Sequence, residues 1–238
     1  PGNAARPSAA MSSRPLVVAI DGPAGVGKST VARHLASRLG IPYLDTGAMY
    51  RALALFALQH GLDPDQRSQA AIAASRARIE LRVAADGRAE VLLDGEPVEP
   101  RIRTPEVGDA TSRLAVHPEV REAMVALQRE LARRHGGVLE GRDIGTRVVP
   151  DTPHKFFLEA APAVRAKRRW AEVAAGGRDD LSHEEVARQI EERDRRDRER
   201  ADSPMQPAPD ASRIDTSERT PEELVDLLAA RVAAGTGS

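Results

Sequence analysis

An apolar run from Leu16 to Ile20 is followed by GPAGVGKST, and then by apolar positions at Val31, Ala32, Leu35, Ala36 and Leu39 that recur with helical spacing as far as Gly40. This order commits the chain to strand, glycine-rich loop and helix, and so to an α/β fold. Gly22, Gly27, Lys28 and Ser29 satisfy GxxxxGKS, with Pro23, Ala24, Gly25 and Val26 completing the loop and Thr30 opening the helix. Glycines let backbone N–H groups wrap a β-phosphate, and the helix dipole adds partial positive charge there. Lys28 is placed to neutralise β- and γ-phosphate oxygens, and the Ser29 hydroxyl to complete a Mg²⁺ shell. A glycine turn serving backbone geometry alone would not explain Lys28 and Ser29 both in register.

Further short apolar segments at 41–45, 137–141, 154–160 and 211–215 read as buried strands, each followed by a loop or helix, which implies a five-stranded parallel sheet covered on both faces. Gly47 to His60 reads as a helix stopped by Gly61. Thr104 with Pro105 and Glu106 starts another, and a further helix runs from near Pro118 to Gly136. Ser182 with Glu185, and Thr220 with Glu223, make capping boxes for two more. The stretch 77–98 breaks the rhythm: it alternates with period two and carries Asp86-Gly87 and Asp94-Gly95, so it reads as a small antiparallel meander inserted in the fold.

Open α/β sheets bind ligands at the carboxyl edge of their strands. Thr46 and Arg51 follow the second strand there, and two readings stay open for them: a phosphate clamp, or a helix cap with a surface Arg. Asp45 at the strand tip either holds a Mg²⁺ water or caps the helix, with capping favoured. Arg142 and Asp143 sit in a glycine-flanked loop after the third strand, a position that favours function over a local ion pair. In EERDRRDRER (191–200), Arg193, Arg196, Asp197 and Arg200 fall at i, i+3, i+4 and i+7, placing three guanidiniums on one face. That face either clamps phosphates or is a solvated helix. Arg165, Lys167, Arg168 and Arg169 lie on the preceding helix, and the Gly- and Asp-rich loop 176–180 joins the two. Such a pairing suggests a lid that excludes water from a phosphoryl transfer. His34, His60, His117 and His183 show no ligand spacing and read as structural.

Composition narrows the partners. The 238 residues carry 35 basic against 36 acidic side chains, and every Arg of 191–200 has an acidic neighbour, so nucleic acid is not expected. With no Cys there is no disulfide, thiolate metal site or cysteine nucleophile, and a reducing compartment, the cytoplasm, is the default. No apolar run reaches the length of a spanning helix, so no membrane partner is expected, and residues 1–13 read as a floppy tail.

IDGPAGVGKST, YLDTGAMYRA, EGRDIGT and ERDRRDRER, in this order between about Leu16 and Val232, together resemble the bacterial cytidylate kinases, P-loop nucleoside monophosphate kinases that phosphorylate CMP and dCMP. The resemblance implies a three-layer P-loop fold. Its core comprises 14–62, 104–160 and 203–238, with an inserted monophosphate-binding subdomain at 63–103 and a helical lid at 161–202. It implies ATP with Mg²⁺ as donor, a monomer, and Thr46, Arg51, Arg142 and Arg200 around the acceptor phosphate. Arg193 and Asp197 would approach the sugar, and Ser112, Arg121 and Asp143 the pyrimidine edge. Arg165, Arg168 and Arg169 fall on the lid beside ATP, and Glu140 stands where some members carry Asp. The catalytic set is Lys28, Arg142, Arg193 and Arg200, with Ser29 and Asp45 as the metal candidates. Another small kinase, acting on a different monophosphate or a metabolite such as shikimate, would not need the arginines at 51, 142 and 200. A nucleotide-dependent switch would not be stimulated by CMP.

Overall fold

A computed structural model describes residues 15–84, 89–175 and 181–235. The tail at 1–13, the Asp86-Gly87 turn and the loop 176–180 lie outside the described residues. Five parallel strands form the main sheet: β1 (Val17–Asp21), β2 (Tyr43–Asp45), β6 (Gly137–Gly141), β7 (His154–Glu159) and β8 (Ser212–Asp215), in the order β2-β6-β1-β7-β8. The first strand made is therefore the central one, paired in register with both β6 (Val18 with Val138) and β7 (Val18 with His154). Strand order turns about β1, and the loops leaving β1, β2 and β6 gather at one edge.

Alternation along β1 divides the interior into two layers. Val18 and Ile20 face α1 (Lys28–Leu39) and α8 (Pro221–Gly235), with Leu35, Phe156, Leu158 and Leu228 between them. Ala19 faces the other way, with Leu44 and Leu139, toward α2 (Thr46–Gln59), α4 (Pro105–Leu114) and α5 (Pro118–His135). Each Leu or Ile fully removed from water here contributes about 1.5–3 kcal/mol.

The meander is a three-stranded antiparallel sheet of β3 (Ile79–Val83), β4 (Ala89–Leu93) and β5 (Glu96–Pro97). Asp94 and Gly95, at φ 53° and 86°, make the tight turn between β4 and β5. Ile79, Leu81, Val91 and Leu93 pack into the layer beneath α2, so the small sheet shares the main core. The helix α3 (Arg67–Arg76) lies against α5 and a single 3₁₀ turn spans Arg101–Arg103. Two helices, α6 (Pro162–Ala175) and α7 (His183–Glu199), pair beside the sheet's carboxyl edge. Trp170 Nε1 donates to Leu181 O at 3.3 Å and its ring meets His183, which joins α6 to the entry of α7. Among the described residues no helix is long and apolar enough to cross a membrane.

Candidate active site

Capping separates α1 from three of the other helices. Asp45 caps α2, Thr104 caps α4 and Ser182 caps α7 through side-chain oxygens, whereas Gly27 before α1 supplies no such bond. The first amides of α1 follow directly on the glycine loop, the geometry in which a helix N-terminus can meet an anion. Glycine is obligatory in the loop ahead of it. At Gly22 (φ +146°) a Cβ would lie 2.2 Å from Leu158 O, and at Gly25 (φ +76°) it would lie 2.8 Å from Arg165 O. Lys28 is buried, with Nζ donating to Pro23 O at 2.6 Å. Burial, then the nearby Arg142 guanidinium, holds its pKa well below the usual lysine range.

The loop is fixed from the α6–α7 side. Asp194, fully buried, accepts from Ala24 N at 3.1 Å and pairs with Arg165, whose guanidinium also donates to Ala24 O at 3.1 Å. The backbone of Ala24 is therefore held at both its N–H and its C=O. Arg168 donates to Thr216 O at 2.7 Å, and Thr216 Oγ1 donates to Val26 O at 3.0 Å. Arg165 and Arg168 buttress the loop from behind, while Arg169 lines the open cleft and pairs with Glu172.

That cleft has a volume of about 400 Å³ and runs from the loop to α4 and α5. Its walls carry nine cationic side chains against five carboxylates, in a chain whose net charge is −1. Arg51, half-buried, donates to Ile102 O at 3.2 Å, and Thr46 Oγ1 donates to Glu140 O at 2.5 Å. Arg142 Nε donates to Asp197 Oδ2 at 2.8 Å. Asp197 also lies 3.6 Å from Arg200, which in turn lies 3.5 Å from Asp143. Asp143 pairs with the buried Arg121. Although burial opposes it, the guanidiniums of Arg142, Arg193 and Arg200 keep the Asp197 carboxyl below its usual range. Arg193 has its pKa pushed down to about 10, first by burial and then by Arg142. These cations repel one another across the cleft.

The sequence-expected residues fall into groups. Ala24, Gly25, Gly27, Lys28, Ser29, Thr30, Thr46, Arg51, Ser112, Arg121, Arg142, Asp143, Arg169, Arg193, Asp197 and Arg200 line the cleft, whereas Gly22, Pro23, Val26, Arg165 and Arg168 support it from outside. Asp45 uses one oxygen on Ala48 N (2.9 Å) and the other on Arg103 (2.9 Å), so both are engaged. Arg196 does not share the cleft face with Arg193 and Arg200: its Nη1 donates to Ser112 Oγ at 3.1 Å, which orients that hydroxyl from outside.

Other residues at or behind the cleft were not assigned to it from the sequence. Arg103 reaches in from the turn after the small sheet, and Arg33, one helical turn beyond Ser29, was findable by its i+4 spacing. Glu140 accepts from Tyr43 OH, and burial with the nearby Asp45 raises its pKa. Asp21, at the end of β1, accepts from Ile144 N (2.8 Å) and Gly145 N (2.7 Å), which anchors the π-helical turn Ile144–Val148 directly behind Arg142 and Asp143.

Burial pushes the Asp21 carboxyl from 3.8 up to about 6 despite those two bonds. Its folded value lies above its unfolded one, so its stabilisation is complete below about pH 4 and is lost as pH rises through about 6. The difference in unfolding free energy between wild type and Asp21→Asn should therefore shift against wild type by about 2 kcal/mol between pH 4.5 and pH 7. Urea titrations at pH 4.5, 5.5 and 7 check this, and a pH-independent difference would contradict it.

The family model described as cytidylate kinase matches residues 18–234. A cytidylate kinase of Pelotomaculum thermopropionicum is 50% identical over 219 residues, 92% of this chain and 96% of that protein. One of Solibacter usitatus is 46% identical over 227 residues, covering 92% and 95%. One of Corynebacterium glutamicum is 48% identical over 215 residues, covering 90% and 92%.

Proposed function

Since this chain belongs to the cytidylate kinase family, we propose that it transfers the γ-phosphoryl group of ATP, bound with Mg²⁺, to a phosphate oxygen of CMP or dCMP. The observation that carries the reading is the convergence of Arg51, Arg142 and the pair Arg193 and Arg200, from three distant segments, on one cleft that begins at Lys28. An acceptor without a phosphate would leave that charge unanswered.

The amides of Gly25 to Lys28 bind the β-phosphate, and Lys28 follows the charge that develops between β- and γ-oxygens. Arg51, Arg142 and Arg200 orient the acceptor phosphate for in-line attack. Its oxygen is already ionised at neutral pH, so the chain needs no general base, and its contribution is positioning and electrostatics. Arg193 and Asp197 hold the sugar. α6 and α7 act as the lid that keeps water from the γ-phosphate, with Arg169 facing the donor. Mg²⁺ asks little of a protein, since it keeps waters and takes phosphate oxygens, so the Ser29 hydroxyl at the cleft suffices as its ligand, whereas Asp45 has both oxygens committed elsewhere. When bound, the ion withdraws charge from the bridging phosphates. We further assign 63–103 to acceptor binding, and a monomer in the cytoplasm as the working form, without a membrane or nucleic-acid partner.

Cytosine presents an amino group where uracil presents a carbonyl, and an ionised Asp143 accepts from the first and repels the second. Asp143→Asn keeps the side chain's shape against Arg121 but can turn its NH₂ toward uracil. The ratio of kcat/KM for CMP over UMP should fall about tenfold or more. An unchanged ratio would move base selection to other residues. The assay for the whole reading is ADP release from ATP-Mg²⁺ with CMP, dCMP, UMP, AMP and shikimate supplied separately: CMP and dCMP should stimulate release most. Stimulation by shikimate or AMP alone, or by none of them, would overturn it.

A further inference from the structure

Gln128 is one of two polar residues of α5 that are nearly sealed from solvent, at 2% exposure, and the other is Arg121. The two are seven residues, about two helical turns, apart and so project from the same face. Both line the cleft beside Ser112 and Asp143. Arg121 has carboxylates to answer it. Gln128 does not: its Nε2 has no hydrogen-bond partner among the described residues.

Buried amides are almost always hydrogen-bonded, because leaving one unmet forfeits its hydration for nothing. Methionine would fill the same volume without that cost. Nor can the helix rotate to find a protein partner. The adjacent Arg129 donates to Arg147 O at 2.6 Å and to Val148 O at 3.3 Å, which pins α5 to the turn behind Asp143. Because Gln128 lines the open cleft, water can meet the amide there until a ligand with a matching polar edge takes its place. A phosphate would be drawn to the guanidiniums across the cleft, whereas a neutral amide offers a donor and an acceptor in one plane, the complement of a nucleobase edge.

We infer that Gln128 is a base-binding residue whose unpartnered amide is completed by the in-plane polar edge of the acceptor nucleobase, next to Asp143. This rests on the proposed acceptor being a nucleoside monophosphate. Because a carboxamide can turn over, it meets the amino group of cytosine or the carbonyl of uracil equally well. Its role is therefore affinity for the base, with the choice between bases left to the fixed charge of Asp143.

The test is Gln128→Met, compared with wild type under saturating ATP-Mg²⁺. KM for CMP should rise about tenfold and KM for UMP in the same proportion, with kcat within about twofold and KM for ATP unchanged. Ribose 5-phosphate, which keeps the sugar and phosphate but lacks the base, should inhibit competitively against CMP with the same Ki in both proteins. The melting temperature without nucleotide should be equal or higher. An unchanged KM for CMP overturns the inference, and so does a Ki for ribose 5-phosphate that worsens in step with it, since that marks general damage to the cleft. Should the Met variant not fold, Gln128→Glu is put through the same CMP and ribose 5-phosphate comparison and read by the same criterion. Wild-type protein that ignores CMP would instead remove the acceptor assignment itself, an outcome seen before any variant is made.

Discussion

Lys28→Met lowers kcat by about 10³-fold without lowering the melting temperature. Its Nζ lies in the bend of the loop, 2.6 Å from Pro23 O, and no second lysine lines the cleft to replace it. Removing one preorganised donor from a water-poor site costs about 10²–10³ in rate, and the ammonium is a full charge at the oxygens that gain charge most. Stability moves the other way. Burial and the repulsion of Arg142 already disfavour the charged form of Lys28 in the empty protein, so an apolar side chain of similar length relieves that strain. Single-turnover measurements with ATP and CMP both saturating separate chemistry from binding. A variant within tenfold of wild type would take Lys28 out of the reaction.

Asp194→Ala produces the largest loss of stability, about 3–5 kcal/mol. The carboxylate is fully buried between Arg165 and the amide of Ala24, and its removal strands a guanidinium that has little access to water. The same change frees the Ala24 amide in the loop, so KM for ATP should rise along with the loss of stability. Chemical denaturation of Asp194→Ala, Arg165→Met and the double variant measures the coupling: the double variant should recover most of what the single Ala variant loses. A cost below about 1 kcal/mol for Asp194→Ala would show that the pair contributes nothing to holding the loop.

What could be read from the chain in advance was local. The GxxxxGKS loop announces itself because strand, turn and helix are contiguous, and the reciprocal bonds of Thr220 and Glu223 (2.9 and 3.2 Å) or the Ser182 cap depend on residues three apart. The Asp94-Gly95 turn is of the same kind. By contrast α3 escaped notice, for its sequence is alanine-rich with few large apolar residues and Gln66 before it gives no side-chain cap. The strand order was equally hidden, since the register of β1 against β6 and β7 joins segments more than a hundred residues apart. Among site residues, Asp194 looked like one charge in a run of ten, yet its partners are Ala24 and Arg165 on other elements. Arg196 obeyed helical spacing but turned to Ser112 on α4, because neighbours three or four apart share a face only broadly. Gln128 offered no motif at all; an unmet amide is visible only once the walls around it are known.

The central position of β1 also governs how the polypeptide can be made. Its hydrogen-bonding edges are completed by β6 and β7, so on a ribosome adding about 5–20 residues per second the strand waits roughly 6–23 s for Gly137 to be polymerised. During that interval Val18, Ala19 and Ile20 have no sheet to enter, while α2 and the small meander can already meet through nearby contacts. Nascent chains arrested before β6 should consequently be protease-sensitive around β1 and engage holding chaperones there, and translation that pauses in α5 should prolong that exposure.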